Sequence, residues 1–271
     1  MADVSLRQLI DAGVHFGHKT HRWNPAMKKY IYCERGGIHI VDLTKTIAML
    51  RVALKAVRDC VVKGGGVLFV GTKPQAQSVV ADAAISSAQY YINHRWLGGM
   101  LTNWTTVSKS IRVLHDLNKV LEGENTGRTK KEHLQLVRRR DRLNASFGGI
   151  SEISGRPDML VVIDANREVL AIQEANRLSI PVVAIVDTNA DPSGITYPIP
   201  GNDDASRAIS LYCKLFVGVI LDGLSEQLSG SGLVAPNIHK VEDSSKVEDS
   251  SSGASEVLEV SAPAEGSMEK E

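Results

Sequence analysis

Two alternating hydrophobic patterns run through most of the chain and predict its fold class. Continuous apolar runs at residues 67–70, 159–164 and 182–187 predict strands that are buried on both faces. Apolar residues that step by three and four predict helices at residues 44–63 and 166–178. Because such strands alternate with helices, we predict an α/β fold in which helices cover both faces of a parallel sheet.

Less regular stretches complete the predicted order of elements. They comprise a helix at residues 5–12, a loop from residue 13 to residue 37, strands at residues 38–42 and 90–93, a helix that begins at Pro74, and a helix at residues 204–227 that follows a further loop. Proline is well placed in a first helical turn because the backbone N–H that it lacks has no partner there.

Residues 103–147 are predicted to form an antiparallel helical hairpin inserted into the α/β domain. Helical spacing covers residues 103–121 and 129–147, and the polar link between them contains two glycines. The facing apolar stripes are coiled-coil-like but too short and broken for a sustained heptad repeat. The α/β domain is therefore predicted to be discontinuous and to span residues 1–102 and 148–229.

The last part of the chain has a different composition. Residues 230–271 are rich in Ser, Glu and Gly, the sequence V-E-D-S-S occurs twice, and no aromatic residue lies in 240–271. Such a segment cannot bury enough apolar surface to offset the entropy lost on ordering. We predict a disordered acidic tail.

The formal net charge of zero conceals two oppositely charged halves. Residues 1–150 contain 23 Lys and Arg against 11 Asp and Glu, whereas residues 151–271 contain 8 against 20. This asymmetry is typical of a basic face for a polyanion combined with an acidic tail. The three scattered cysteines, the lack of a signal-peptide core and the lack of about 18 consecutive apolar residues indicate a cytoplasmic protein without disulfides or a spanning helix.

The fold class raises the hypothesis of a nucleotide-dependent enzyme, but the expected motifs are absent. No G-x-G-x-x-G follows a predicted strand. Residues 66–73 approach a phosphate-binding loop, yet the first glycine precedes the strand, and Thr72 and Lys73 are in the wrong order. Residues 71–74 could still bind an anion at a helix N-terminus or form an ordinary turn. The residues therefore do not support a catalytic centre, and a nucleotide-binding enzyme stays open as an alternative.

Three segments combine basic and aromatic residues in a way that suits RNA. Residues 93–104, N-H-R-W-L-G-G-M-L-T-N-W, offer the charged fork of Arg95 and the ring of Trp96, next to a Gly-Gly pair with unusual backbone freedom. Residues 14–29 interleave histidines, Arg and Lys with Trp23, and the second hairpin helix is strongly basic. A buried aromatic turn and a solvated charged helix are the alternatives for the first and third segments.

Ten short segments in a fixed order resemble one family, the bacterial-type small-subunit ribosomal protein conventionally numbered two. They are A-G-V-H-F-G-H (12–18), W-N-P (23–25), F-V-G-T-K (69–73), residues 93–104, F-G-G-I (147–150), I-D-A (163–165), E-A-N (174–176), I-P-V-V-A-I-V-D-T-N (180–189), D-P (191–192) and P-G-N-D-D-A (200–205). The twelve-residue segment is by far the most specific of them.

The resemblance implies a flavodoxin-like α/β domain with a protruding helical hairpin, and a structural rather than enzymatic role. It implies a position between head and body of the small subunit of a bacterial ribosome, with small-subunit rRNA and neighbouring ribosomal proteins as partners. It further implies support of translation initiation, in part by anchoring the large mRNA-binding ribosomal protein. We expect neither a membrane partner nor a homo-oligomer. An RNA-independent protein scaffold is the remaining alternative.

The residues expected to bind rRNA form two sets, and their shared feature is a basic or stacking side chain. One surface is predicted to contain Arg22, Trp23, Lys28, Lys29, Arg95, Trp96, Asn103 and Trp104, and the hairpin is predicted to contribute Lys109, Arg112, Lys130, Lys131, Arg138, Arg139, Arg140 and Arg142. Trp96 and Trp104 are equally consistent with buried scaffold. We expect no cofactor and no metal; if a metal does bind, the resemblance makes His18, Asp187 and Asp204 its candidate ligands.

Overall fold

The computed structural model describes residues 4–123 and 129–230. The predicted tail lies outside the described residues except for Gly230. Within them the helices are α1 Leu6–Asp11, α2 Leu43–Val62, α3 Gln77–Ser86, α4 Trp104–Glu122, α5 Lys130–Phe147, α6 Val169–Arg177 and α7 Ser206–Gly230. The strands are β1 Phe16–Lys19, β2 Ile31–Arg35, β3 Ile38–Val41, β4 Val67–Val70, β5 Tyr90–Ile92, β6 Met159–Ile163, β7 Val182–Val186 and β8 Tyr197–Pro200.

The larger sheet confirms the predicted fold class. Its five strands are all parallel and lie in the order β5-β4-β6-β7-β8. Numbered from the first strand of this sheet, the order is 2-1-3-4-5, which is the flavodoxin-like arrangement. In this arrangement the loops that leave the carboxyl ends of the strands meet along one edge of the sheet.

Alternate residues of each central strand face opposite layers of helices. In β4, Val67 and Phe69 pack in one hydrophobic cluster with α2, α3 and α7, while Leu68 and Val70 pack in a second cluster with α6 and the base of α4. Every residue of β4, β6 and β7 is buried. Burial on both faces explains why these strands have continuous apolar runs and no polar alternation.

The predicted loop at residues 13–37 is wrong. The structure places β1 and β2 there, and both pair antiparallel with β3 in a separate three-stranded sheet. These strands are short, irregular in register and largely exposed, so they lack an apolar period. Their order depends on pairing with β3 and on a close approach to the large sheet, since a Cβ at Gly17 would lie 2.6 Å from the side chain of Thr188.

Two further differences arise from prolines. Strand β8 lies where a loop is predicted. Pro198 and Pro200 cannot donate ladder hydrogen bonds, but the edge of the sheet tolerates them. The helix predicted to begin at Pro74 begins instead at Gln77, after a turn in which the amides of Ala76 and Gln77 both donate to the carbonyl of Lys73.

Helix α7 is the one helix among the described residues that is long and apolar enough to cross a membrane by composition alone. No such helix was expected. Its residues Ile209, Tyr212, Phe216 and Ile220 are completely buried in the cluster shared with α2. Its apolar character is therefore that of a core helix packed on the sheet.

Candidate nucleic-acid interface

The two hairpin helices lie against each other and present most of their basic residues to solvent. Val107, Ile111 and Leu114 of α4 and Phe147 of α5 are buried at the base of the hairpin. A capping box between Thr129 and Glu132 starts α5 and satisfies orphan backbone donors. Because the apolar contacts occupy one side, the charged residues of both helices lie outside them.

All but one of the hairpin residues that are predicted to bind rRNA are exposed to solvent. The exposed members are Lys109, Arg112, Lys130, Lys131, Arg138, Arg139 and Arg142. Arg140 is half-buried, and its Nε and Nη2 donate to Oδ1 of Asp141 at 2.9 and 2.6 Å. A guanidinium already engaged by a carboxylate binds a phosphate less readily, so we expect Arg140 to contribute least to an RNA interface.

A single buried carboxylate organises the segment at residues 93–104. Glu174 of α6 is 6% exposed, and its two oxygens accept five hydrogen bonds. The donors are Trp96 Nε1 (3.2 Å), the amides of Gly99 (2.8 Å), Leu101 (3.0 Å) and Thr102 (3.0 Å), and the Thr102 hydroxyl (3.0 Å). Burial opposes ionisation, but these donors prevail and lower the pKa of Glu174.

The residues of this segment that are predicted to bind RNA differ in their exposure to solvent. Arg95 and Asn103 are exposed, whereas Trp96 is 6% exposed and Trp104 is half-buried against the same cluster. The arrangement supports the scaffold alternative for Trp96, whose ring is covered. Gly99 adopts a left-handed φ of +85°, which a residue with a Cβ reaches only at a cost.

The predicted residues of the 14–29 segment lie on two short 3₁₀ turns, except for Trp23, which follows the first turn in an extended conformation. Arg22, Lys28 and Lys29 are exposed, and Trp23 is half-buried with its ring 5.4 Å from that of His39. Met27 of this segment and Tyr30, which follows it, pack in the cluster that also holds Trp96. Both predicted RNA-binding segments are therefore supported by one hydrophobic cluster, on the side of the sheet covered by α6.

A charged cluster lies where the carboxyl ends of the parallel strands meet. The Nζ of Lys73 lies 3.3 Å from Asp164, 2.8 Å from Asp203 and 2.5 Å from Asp204. These residues follow β4, β6 and β8, so three strand ends are joined by one ammonium. Since carboxylates surround Lys73 and the helix begins only at Gln77, the structure favours the ordinary turn over an anion site at residues 71–74.

His18 links β1 to this cluster. Its Nδ1 lies 2.9 Å from Oδ2 of Asp187, and its Nε2 lies 3.4 Å from Oδ2 of Asp204. The hydrogen bond with Asp187 and the nearby carboxylates raise the pKa of His18. Ligand atoms of His18, Asp187 and Asp204 lie within 4.8 Å of one another, so the structure brings the three candidate metal ligands together.

A pH titration of stability is expected to report on this cluster. Burial and the carboxylates of Asp164 and Asp187 raise the pKa of Asp203 to about 7, despite the opposing effect of Lys73. Asp203 therefore binds more protons in the folded chain than in the unfolded chain between about pH 4 and 7, so its contribution to stability falls as the pH rises through that window. The raised pKa of His18 acts in the same direction near neutrality.

We expect Asp203→Asn to flatten the dependence of melting temperature on pH between 5 and 8, measured in a chelating buffer. Asp59→Asn, which removes an exposed carboxylate on α2, is the matched control and should retain the wild-type slope. Equal slopes for the two variants would contradict the assignment.

Sequence reasoning missed three positions that organise this region of the structure. Glu174, Lys73 and Asp203 stand in the sequence analysis only as parts of short motifs. The one available signal was local: Glu174 stands on the apolar face of α6, beside the buried Ala171 and Ala175. An acid on a buried helix face requires donors from elsewhere in the fold.

Comparison with known proteins gives consistent similarities over most of the chain. The sequence model of a family described as ribosomal protein S2 matches residues 9–223. The small ribosomal subunit protein uS2 of Hyphomonas neptunium is 60% identical over 234 residues, which cover 86% of this chain and 89% of that protein. Those of Rhizobium leguminosarum bv. trifolii and Brucella ovis are 58% and 57% identical over 86% of this chain, and over 91% and 92% of their own lengths.

Proposed function

The chain belongs to the ribosomal protein S2 family, and from this premise we propose that it is a structural constituent of the small ribosomal subunit that binds small-subunit rRNA. The match over residues 9–223 carries the proposal. The family is a non-enzymatic component of the ribosome, so the nucleotide-binding enzyme alternative is wrong. The bacterial relatives support a place in a bacterial ribosome in the cytoplasm.

The proposed mechanism is positional. Exposed Lys and Arg on α4 and α5 neutralise RNA phosphates, while the packed sheet holds the hairpin at a defined angle to the surrounding rRNA. The exposed Arg22, Lys28, Lys29 and Arg95 provide contacts from the α/β body. Trp23, Asn103 and Trp104 act at the margins of this surface, and Trp96 acts through the scaffold that it shares with Glu174.

We further propose that the chain lies between head and body of the subunit and supports translation initiation by helping to anchor the large mRNA-binding ribosomal protein. The division into an α/β domain and an inserted hairpin at residues 103–147 stays a prediction. It suits this role, because a protruding hairpin reaches rRNA at a distance from the body that contacts neighbouring proteins.

A sucrose gradient of native lysate tests the proposed function. The chain, followed by antibody, is expected to sediment with small subunits and to be released by ribonuclease. Sedimentation as a free monomer or small oligomer in both samples would overturn the proposal. Co-sedimentation with a protein complex that ribonuclease leaves intact would favour the RNA-independent scaffold instead.

A further inference from the structure

A cleft of about 340 Å³ opens where the strand order of the large sheet reverses. It is lined by Thr72, His94, Arg95, Trp96, Arg167, Glu168 and Leu170. These residues follow β4, β5 and β6, and the helices that come after β4 and β6 cover opposite faces of the sheet. In open α/β sheets the crevice at this reversal is the preferred place for a ligand.

Arg167 is held in a fixed orientation at the mouth of the cleft. Its Nε donates to the hydroxyl of Thr72 at 2.9 Å, and its amide donates to Oδ1 of Asp164 at 3.0 Å. Asp164 has a left-handed φ of +70° and also accepts the amide of Asn166, which closes a tight turn. Within the described residues no hydrogen bond engages the terminal nitrogens of Arg167, whose charge acts on Glu168 without a direct ion pair, so these nitrogens remain available to a ligand.

The other walls of the cleft are also suited to an anion. Arg95 and His94 are exposed, and within the described residues neither side chain has a hydrogen bond or an ion pair. Glu168, the one carboxylate of the lining, is 2% exposed, and its Oε1 already accepts the amide and the hydroxyl of Thr72.

We propose that this cleft binds a phosphate of single-stranded rRNA, with the guanidinium groups of Arg167 and Arg95 as its two prongs. Guanidinium forks match the oxygens of a phosphate, and an anchored Nε reduces the entropy that Arg167 loses on binding. The exposed side chain of Leu170 supplies an apolar wall for the adjoining sugar or base. The proposal rests on the proposed rRNA-binding function for the source of the phosphate.

The test uses the full chain and two phosphate probes. A single-stranded RNA of about ten nucleotides and adenosine monophosphate are titrated separately while the backbone amides of Thr72 and Arg167 and the Trp96 indole N–H are followed by NMR. RNA is expected to shift these signals at lower concentration than the mononucleotide. Arg167→Gln and Arg95→Gln are each expected to weaken RNA binding about tenfold, since each removes a charge-assisted contact.

Arg177→Gln is the matched control, because Arg177 is an exposed arginine at the far end of α6 and its loss changes the net charge equally. It should leave RNA affinity within about twofold of wild type. RNA that binds without moving the cleft signals, or equal losses in all three variants, would overturn the cleft assignment. Shifts caused as strongly by the mononucleotide would overturn rRNA as the source. In each case the sedimentation experiment still decides the proposed function separately.

Discussion

Replacement of Glu174 by glutamine is expected to lower the free energy of unfolding by about 3–5 kcal/mol at pH 7, because it breaks a buried, fully satisfied carboxylate network. The carboxylate accepts five hydrogen bonds, and an amide offers only one oxygen to these donors. Whichever way the amide is turned, its NH₂ group would face donors and leave them without an acceptor. These donors are either Trp96 Nε1 and the Gly99 amide, or the amides of Leu101 and Thr102. Urea unfolding measures the loss.

Glu152→Gln is the control for this variant, since it makes the same chemical change at an exposed position outside the network. We expect its stability to lie within about 0.5 kcal/mol of wild type. If Glu174→Gln were as stable as Glu152→Gln, the carboxylate would not be the organising group of residues 93–104. Because the donors lower the pKa of Glu174, its stabilising contribution should be present at neutral pH and be lost only in acid, as the pH falls through that lowered pKa.

Removal of three exposed hairpin charges should weaken association with the small subunit and reduce its salt dependence. The variant combines Arg138→Gln, Arg139→Gln and Arg142→Gln, all on exposed positions of α5. If each arginine neutralises one phosphate, the negative slope of log affinity against log salt concentration should become shallower by about two to three. Binding of the purified chain to subunits that lack it, measured at several salt concentrations, gives that slope.

The structure also supplies a graded control on the same helix. Arg140→Gln should change the slope less than any single exposed replacement, since its guanidinium already binds Asp141. Arg207→Gln removes an exposed arginine from α7 and should leave the slope unchanged. Unchanged occupancy of the triple variant at raised salt would remove the hairpin from the proposed rRNA interface.

Prediction and structure agree where burial leaves a local apolar period in the sequence. Strands β4, β6 and β7 end within one residue of their predicted limits, and α4 and α5 do so as well, because burial on a sheet face or along a helix stripe leaves a local period. Strands β1, β2 and β8 have no such period. β1 and β8 pair with strands that lie farther away in the chain, and β2 pairs with β3 across the two-residue turn Gly36-Gly37. In all three strands pairing, and not a local apolar period, keeps the backbone extended.

The amino-acid order by itself therefore determined the alternation of strands and helices, the basic hairpin, the segment at residues 93–104 and the family to which they belong. The tertiary structure alone decided which charged side chains are paired within the protein and which are free to bind a partner. It places Glu174 under the twelve-residue segment, encloses Lys73 with Asp164, Asp203 and Asp204, and leaves Arg95 and Arg167 open in a cleft. The physical reason is that a charge interacts with whatever the fold brings within a few ångströms, and in this sheet the strand ends bring together loops that are far apart in sequence.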